Sequence, residues 1–381
     1  MRWASALSEK RSTEEAIADA ATIVAAELIG AQADIVLAFV SPHHAAAYRS
    51  IPAWLEERFP RAHIAGCSAG GVIGGGREVE GHPAISLVAA SLPGVAARPL
   101  RFEDEDELPP ADAGPQFLIL VDPFTCDAGA LIEMLDARYP GSRKIGGLAS
   151  GGGSPGSNVL FLDRQAHDGG AVGLALDGDI RVDTIVAQGC RPIGQPLVIT
   201  RCERNVVLEL NGRSPVTVLR ELSATLSPDD RKLFRTALHV GIEMTGERLE
   251  YKAGDFLIRN VVGADPDTGA LAIGAFPRRY QALQFHLRDA RTAAEDLAAC
   301  LARYRGESGG ARPAGALLFS CLGRGVHLYG RPNHDSDMFR ERLGPVPIGG
   351  FFCNGEIGPV GGTTFLHGYT SSFGLFRPGT S

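Results

Sequence analysis

The chain has 381 residues, 44% of them hydrophobic and 21% charged, so it can bury a large core and is too long for a single ordinary one. A formal net charge of -7 with no basic run excludes a nucleic-acid surface, which relies on concentrated Lys and Arg. No stretch nears the roughly 20 apolar residues that span a bilayer, and the start MRWASALSEKRSTEE lacks the apolar segment of a secretory signal. Seven cysteines without a C-x-x-C pair fit reduced thiols, so the expected location is the cytoplasm, away from membranes.

In chain order, STEEAIADAATIVAAELIG opens on a capping box of Ser12 and Glu15 and stops at Gly30, which places a helix in residues 1–32. ADIVLAFVSP, residues 33–42, reads as a buried strand ending in a helix cap at Ser41 and a first-turn proline at Pro42. A helix follows through AAAYRSIPAWLEERFP, with Pro52 as a break or kink and Pro60 as its end, before HIAGCSAGG begins a second short strand and a glycine turn. The same order returns as PQFLILVDP, AGALIEMLDARYP and KIGGLASGGG. Val40-Ser41-Pro42 and Val121-Asp122-Pro123 lie 81 residues apart, as do Ile64-Ala65-Gly66 and Ile145-Gly146-Gly147. A third, looser copy runs from GALLFSCLGRG through DMFRERLGP to PIGGFFCNGE, with Gly350 in the place of Gly66 and Gly147.

Repeated strand, helix and strand units define an α/β fold with mixed sheets, here a duplication into two pseudo-equivalent domains. AISLVAASL, NVLFLD, AVGLAL, DTIVAQG and LAIGAF read as antiparallel additions, and RDARTAAEDLAACLARYRG as a helix outside the repeats. The acidic EDEDELPPADAGP, residues 103–115, is a surface connection, and LSATLSPDDRKLF, residues 222–234, marks the domain boundary. Domains are therefore expected at 33–223 and 224–370, with a tail at 371–381.

Cys321 should stand at the carboxyl end of a strand, where α/β sheets place ligands, beside the turn that carries Arg324. A thiol there either reacts or binds, or is a small buried hydrophobe. Cys353 has Asn354 beside it and Glu356 three positions on. Glu356 or His367 is a base for it if the fold joins them; otherwise Asn354 turns the chain and Glu356 pairs with an arginine. GCSAG satisfies the spacing of a hydrolase nucleophile at Ser68, but the glycine-rich run after it is not the required helix. GGLASGGGSPG lacks the Lys-Ser/Thr of a phosphate loop, so no nucleotide and no other cofactor is indicated. His327, His334, Asp335 and Asp337 match no metal-ligand spacing and read as a solvated loop, as do His43 and His44 at a helix start.

GCSAGG, VLELNGRSPVTVLREL, FLIRNVVGADPDTGALAIG, FHLRDARTAAEDL, FSCLGRG and IGGFFCNGEIGPVGGTTFLHGYT together resemble the FIST family, of F-box and intracellular signal transduction proteins. The resemblance covers nearly the whole chain and departs at Tyr280, where it leads us to expect glycine. It implies a sensory module that binds a small, amino-acid-like ligand and signals through a separate partner protein. The expected ligand cradle combines main chain at Gly66, Gly147 and Gly350 with Cys67, Ser68, Cys321, Arg324, Cys353, Asn354, Glu356 and His367. No catalytic or metal-binding residue is assigned. The rival readings are a cysteine-dependent hydrolase or transferase using Cys321 or Cys353, and a protein-interaction scaffold.

Overall fold

Local signals start the elements much as read. Ser12 Oγ accepts the amide of Glu15 at 3.4 Å, and Asp127, Ser214 and Ser227 cap later helices in the same way. A computed structural model describes residues 1–102, 108–111, 114–244, 246, 250–251 and 254–379. The expected connection at 103–115 lies largely outside the described residues.

The first repeat runs β1 (Arg2–Ser8), α1 (Thr13–Glu27), β2 (Ile35–Val40), a 3-10 segment (Pro42–Ser50), α2 (Ile51–Arg58) and β3 (His63–Ser68). A hairpin of β4 (Gly71–Gly74) and β5 (Arg77–Glu80) follows, then β6 (Ile85–Ser91). The second comprises β7 (Val95–Arg101), β8 (Gln116–Val121), α3 (Ala128–Arg138), β9 (Lys144–Leu148), the hairpin β10 (Leu160–Leu162) and β11 (Gln165–His167), and β12 (Ala171–Gly178). The third begins with β13 (Arg181–Gln188) and is then interrupted. The interruption holds β14 (Cys190–Glu203), β15 (Val206–Leu210), α4 (Pro215–Thr225), α5 (Pro228–Thr236), β16 (Leu238–Glu243), β17 (Phe256–Ala264), β18 (Leu271–Ile273) and β19 (Ala282–Arg288). The third repeat resumes with α6 (Ala290–Glu307), β20 (Gly315–Cys321), α7 (Gly325–Tyr329), α8 (His334–Leu343) and β21 (Ile348–Cys353). It ends with the hairpin β22 (Glu356–Val360) and β23 (Thr363–His367), and β24 (Thr370–Arg377).

Two compact units result, Met1–Val186 with Leu297–Ser381, and Ala187–Asp296. In the first, three mixed sheets share one plan, with orders β1-β6-β2-β3-β10-β11, β7-β12-β8-β9-β22-β23 and β13-β24-β20-β21-β4-β5. Each centres on a parallel pair, β2 with β3, β8 with β9, and β20 with β21. Each pair is extended by a hairpin from a different repeat: β4 bonds to β21, β10 to β3 and β22 to β9, all antiparallel. The inner faces meet in one apolar core that takes Leu37, Phe39, Leu118, Leu120, Phe319 and Phe351 from the three sheets. Burying each such side chain contributes about 1.5–3 kcal/mol. The runs anticipated as antiparallel additions include β6, β10 and β12, which are antiparallel to β2, β3 and β8. Of residues 371–381, expected as a tail, 371–377 instead belong to β24, whose residues Thr370–Arg377 are all buried beside β20. Its serines and glycine hid it; Ser371 and Ser372 are buried because their hydroxyls are bonded.

The equal spacing of 81 residues does not carry through to the second strand of each pair. Gly66, Gly146 and Gly350 are the structural equivalents, since a Cβ there would lie 2.1, 1.8 and 1.9 Å from the carbonyl oxygens of Ala38, Ile119 and Leu318 on the neighbouring strand. Gly147 faces Cys353 instead. None of these glycines is in a turn: all lie inside β3, β9 or β21, where they admit another strand's main chain.

The second unit is a closed barrel, β14-β15-β18-β17-β16-β19, filled by residues such as Val207, Val240, Leu271 and Phe285. Closure leaves no strand edge open. The segment 222–234 lies within it, in α4 and α5. Tyr280 stands at φ 71, a left-handed conformation suited to the glycine expected there.

Two outcomes are expected in urea denaturation. Gly66→Ala should cost about 3 kcal/mol because no side chain can yield to relieve the clash with the Ala38 carbonyl, whereas Gly153→Ala, with nothing within 4 Å, should stay within about 0.5 kcal/mol of the parent. Tyr280→Gly should be neutral or stabilising by up to about 1 kcal/mol, since removing left-handed strain outweighs the entropy that glycine adds to the unfolded chain.

Candidate functional site

The carboxyl ends of the parallel pair β20 and β21 carry a buried polar cluster. After Cys321 the chain turns, Arg324 N donating to the Cys321 carbonyl at 2.8 Å, and Gly325 at φ 56 opens α7. That turn sends the Arg324 side chain inward, where it is 0% exposed. Its Nε and Nη2 donate to Asp335 at 3.0 and 3.2 Å, and Nη2 also donates to the Tyr329 hydroxyl at 2.6 Å. Asp335 is further held by His334 Nδ1 at 2.8 Å and by the Ser371 hydroxyl, which donates at 2.5 Å. The Tyr329 and His334 rings stack.

Burial resists the Asp335 charge, but the Arg324 guanidinium, His334 and Ser371 outweigh it and hold the carboxyl well below the usual carboxylate range. Burial likewise opposes the Arg324 charge and Asp335 overcomes it, so the guanidinium stays protonated more firmly than in water. Asp335 thus forms a buried ion pair with Arg324 at the start of α8, with His334 buried beside it, which corrects the expectation of a solvated loop for these two residues. Among the described residues no cluster of three or more His, Cys, Asp or Glu fits a metal. His44 is also buried, its Nδ1 bonded to Thr13 Oγ1 at 3.0 Å.

Cys321 and Cys353 are in-register neighbours on β20 and β21, Cys321 half-buried and Cys353 fully buried. The Cys353 thiol lies 3.6 Å from Glu356 Oε1 and 3.4 Å from the Ser320 carbonyl. Burial first, then the neighbouring Glu356 carboxyl, push it well above the usual thiol range, which disfavours the thiolate a nucleophile needs. Glu356 Oε2 accepts from Thr370 N at 3.1 Å and Thr370 Oγ1 at 2.6 Å, and burial pushes its carboxyl up to about 7. No arginine pairs with Glu356 in a salt bridge among the described residues. His367 is register-paired with Glu356, yet its Nε2 meets the Gly358 carbonyl at 2.9 Å, so the sequence-derived Cys353–His367 pairing does not form. Asn354 is exposed and donates to the Ala149 carbonyl at 3.0 Å.

The remaining cradle residues do not gather around this cluster as side chains. Cys67 is in the central core, where burial pushes its thiol well up. Ser68 is 1% exposed, donates to Asn158 Oδ1 and accepts from Val159 N, so it is no hydrolase nucleophile. Gly66, Gly147 and Gly350 are buried strand positions. Sequence reasoning missed Glu78, Tyr329, Ser336, Thr370 and Ser371. Glu78 belongs to a hairpin of the first repeat, so its signal was far from the site in the chain. Its Oε1 accepts from Ser336 N at 2.7 Å and Ser336 Oγ at 2.8 Å.

Three exchanged mixed sheets with a buried ion cluster at one parallel pair define an α/β protein with a polar site at strand ends. Family models sharpen the class: residues 34–213 match the FIST N domain and residues 215–359 the FIST C domain, so the chain belongs to the FIST family, as its motifs suggested. An uncharacterized protein of Mycobacterium tuberculosis is 36% identical over 390 residues, covering 99% of this chain and 100% of its own. A second, from Mycobacterium bovis, is 38% identical over 322 residues, 82% of each chain. Similarity extends to the human F-box only protein 22, 33% identical over 81 residues, 17% of this chain and 20% of that one.

Glu356 sets a pH test. Its carboxyl binds a proton more tightly folded than unfolded, so the stability it carries is complete below about pH 4.5 and is lost as the pH rises through about 7. Glu356→Gln removes that loss. Urea midpoints of variant and parent, compared at pH 5 and pH 8, should show the variant gaining about 3 kcal/mol relative to the parent across the interval; an unchanged difference would mean that Glu356 titrates like an exposed carboxyl.

Proposed function

We propose that this FIST-family chain is a cytoplasmic sensory module that binds a small, amino-acid-like ligand at the carboxyl ends of β20 and β21 and signals through a partner protein. The observation that carries the reading is a buried, incompletely satisfied donor set. Arg324 Nη1 and Ser320 Oγ have no hydrogen-bond partner among the described residues, although each such buried group costs about 1–3 kcal/mol when left unmet. A ligand carboxylate is the natural acceptor for a guanidinium nitrogen. Half-buried Cys321 and exposed Asn354 stand at the same strand ends. Seven thiols in reduced form support the cytoplasmic location. The rival enzyme reading is better served by Cys321, because Cys353 is buried and its thiol is pushed well up.

A thermal-shift screen of amino acids and their derivatives should give at least one compound that raises the melting temperature by mass action. The same compound should slow alkylation of Cys321 by iodoacetamide, read by peptide mass spectrometry, and should lose about tenfold or more in affinity for Arg324→Lys. A screen with no hit at millimolar concentration removes the sensory reading, and turnover that vanishes in Cys321→Ala while affinity persists would replace it with the enzyme.

A further inference from the structure

A cavity of about 500 Å³ opens beside the β4–β5 hairpin where it meets α7 and α8, within the size range of small-molecule sites. It contains no residue assigned to the cradle. Its wall is acidic in an unusual way. Glu78 and Glu80 both line it from β5, two positions apart and so on one face of the strand. Glu78 is 5% exposed, and while its Oε1 is held by Ser336, its Oε2 has no hydrogen-bond partner among the described residues. Glu80 uses Oε1 to accept the Val326 amide at 2.9 Å, which Gly325 permits because any Cβ there would lie 2.0 Å from that oxygen. Both carboxyl groups are therefore fixed by main chain, with little freedom to swing to solvent.

The lining has few cations to answer them. Arg77 is engaged with Glu9 at 2.6 Å, so that pair cancels. Arg324 does not line the cavity, and its Nε and Nη2 are spent on Asp335 and Tyr329. His82 and His327 are exposed residues on the rim. The Asn333 side-chain oxygen accepts the Glu78 amide at 2.7 Å and so fixes the hairpin against α8.

We propose that this cavity is a binding site for a small organic cation, an alkylammonium or alkylguanidinium held between Glu78 and Glu80. The inference goes beyond the sensory reading and stands whether or not such a cation is the sensed compound. A cation supplies the donor that Glu78 Oε2 lacks, and its hydrogen bonds are charge-assisted. Burial, with Asp335 nearby, pushes the Glu78 carboxyl up to about 7, and a bound cation would favour its charged form. Burial raises Glu80 as well.

The test is isothermal titration of the full chain with agmatine and with 1,4-diaminobutane, in phosphate buffer so that no buffer amine competes. N-butylacetamide serves as the neutral control and glutarate as the anionic one. Both cations should bind, Glu78→Gln should weaken them about tenfold or more and Glu80→Gln severalfold, and the controls should not bind. Glutamine at 78 keeps an oxygen for Ser336, and Glu80→Gln carries the test alone if circular dichroism shows the first variant unfolded. Absence of cation binding at millimolar concentration overturns the proposal, as does equal binding by the variants. Binding of N-butylacetamide in place of the amines would overturn it too, since Glu78 would then act as a neutral donor.

Discussion

Every strand edge must find partners for its amides and carbonyls, and in this chain the second strand of each parallel pair finds them only in a hairpin from another repeat. The first repeat completes the third, the second completes the first, and the third completes the second. Main-chain bonds tie the strand ends together: Ser150 N donates to Ser68 O at 3.2 Å, and Asn354 N to Leu148 O at 3.1 Å. The third link of the ring is made through a side chain, since Ser150 Oγ accepts from Gly70 N at 2.8 Å and donates to Phe352 O at 2.5 Å. No repeat can bury its own sheet edge, so the three fold as one unit around a shared central core.

The same exchange assembles the polar cluster. Glu78 arrives on the hairpin of the first repeat, Arg324 and Asp335 on the third repeat's connection between β20 and β21, and Ser371 on β24. A buried ion pair of this kind adds little net stability, because desolvation offsets much of the attraction, and removal of one partner is costly. Two further carboxyl groups, Glu78 and Glu356, pushed up to about 7, add groups that an apolar core would not contain. Such a collection at strand ends supports the binding site proposed above.

The two cysteines at these strand ends illustrate how position divides chemistry between like residues. Cys321 and Cys353 are register partners, but only Cys353 is sealed beneath the adjacent chain and beside a carboxyl. Its neighbour is only half-buried.

Much was legible in the residues alone. Apolar runs such as IVLAFV and QFLILV define strands, and Ser12 with Glu15 a helix start, by local sterics and capping that need no distant partner, whereas the cap expected at Ser41 does not form because its hydroxyl accepts the Ala84 amide at 2.9 Å. The long motifs around Cys321 and Cys353 sufficed for the family, and the three-fold recurrence was visible as well. Tertiary structure alone decided which hairpin joins which sheet, because β-pairing is non-local and any of three similar edges offers the same hydrogen bonds. It moved the equivalence of Gly66 from Gly147 to Gly146, since a carbonyl 1.8 Å from a Cβ position is a fact of packing and not of spacing. It also buried Asp335 and His334, which read as solvated loop, since only the folded chain places Arg324 where its charge can hold an aspartate out of water.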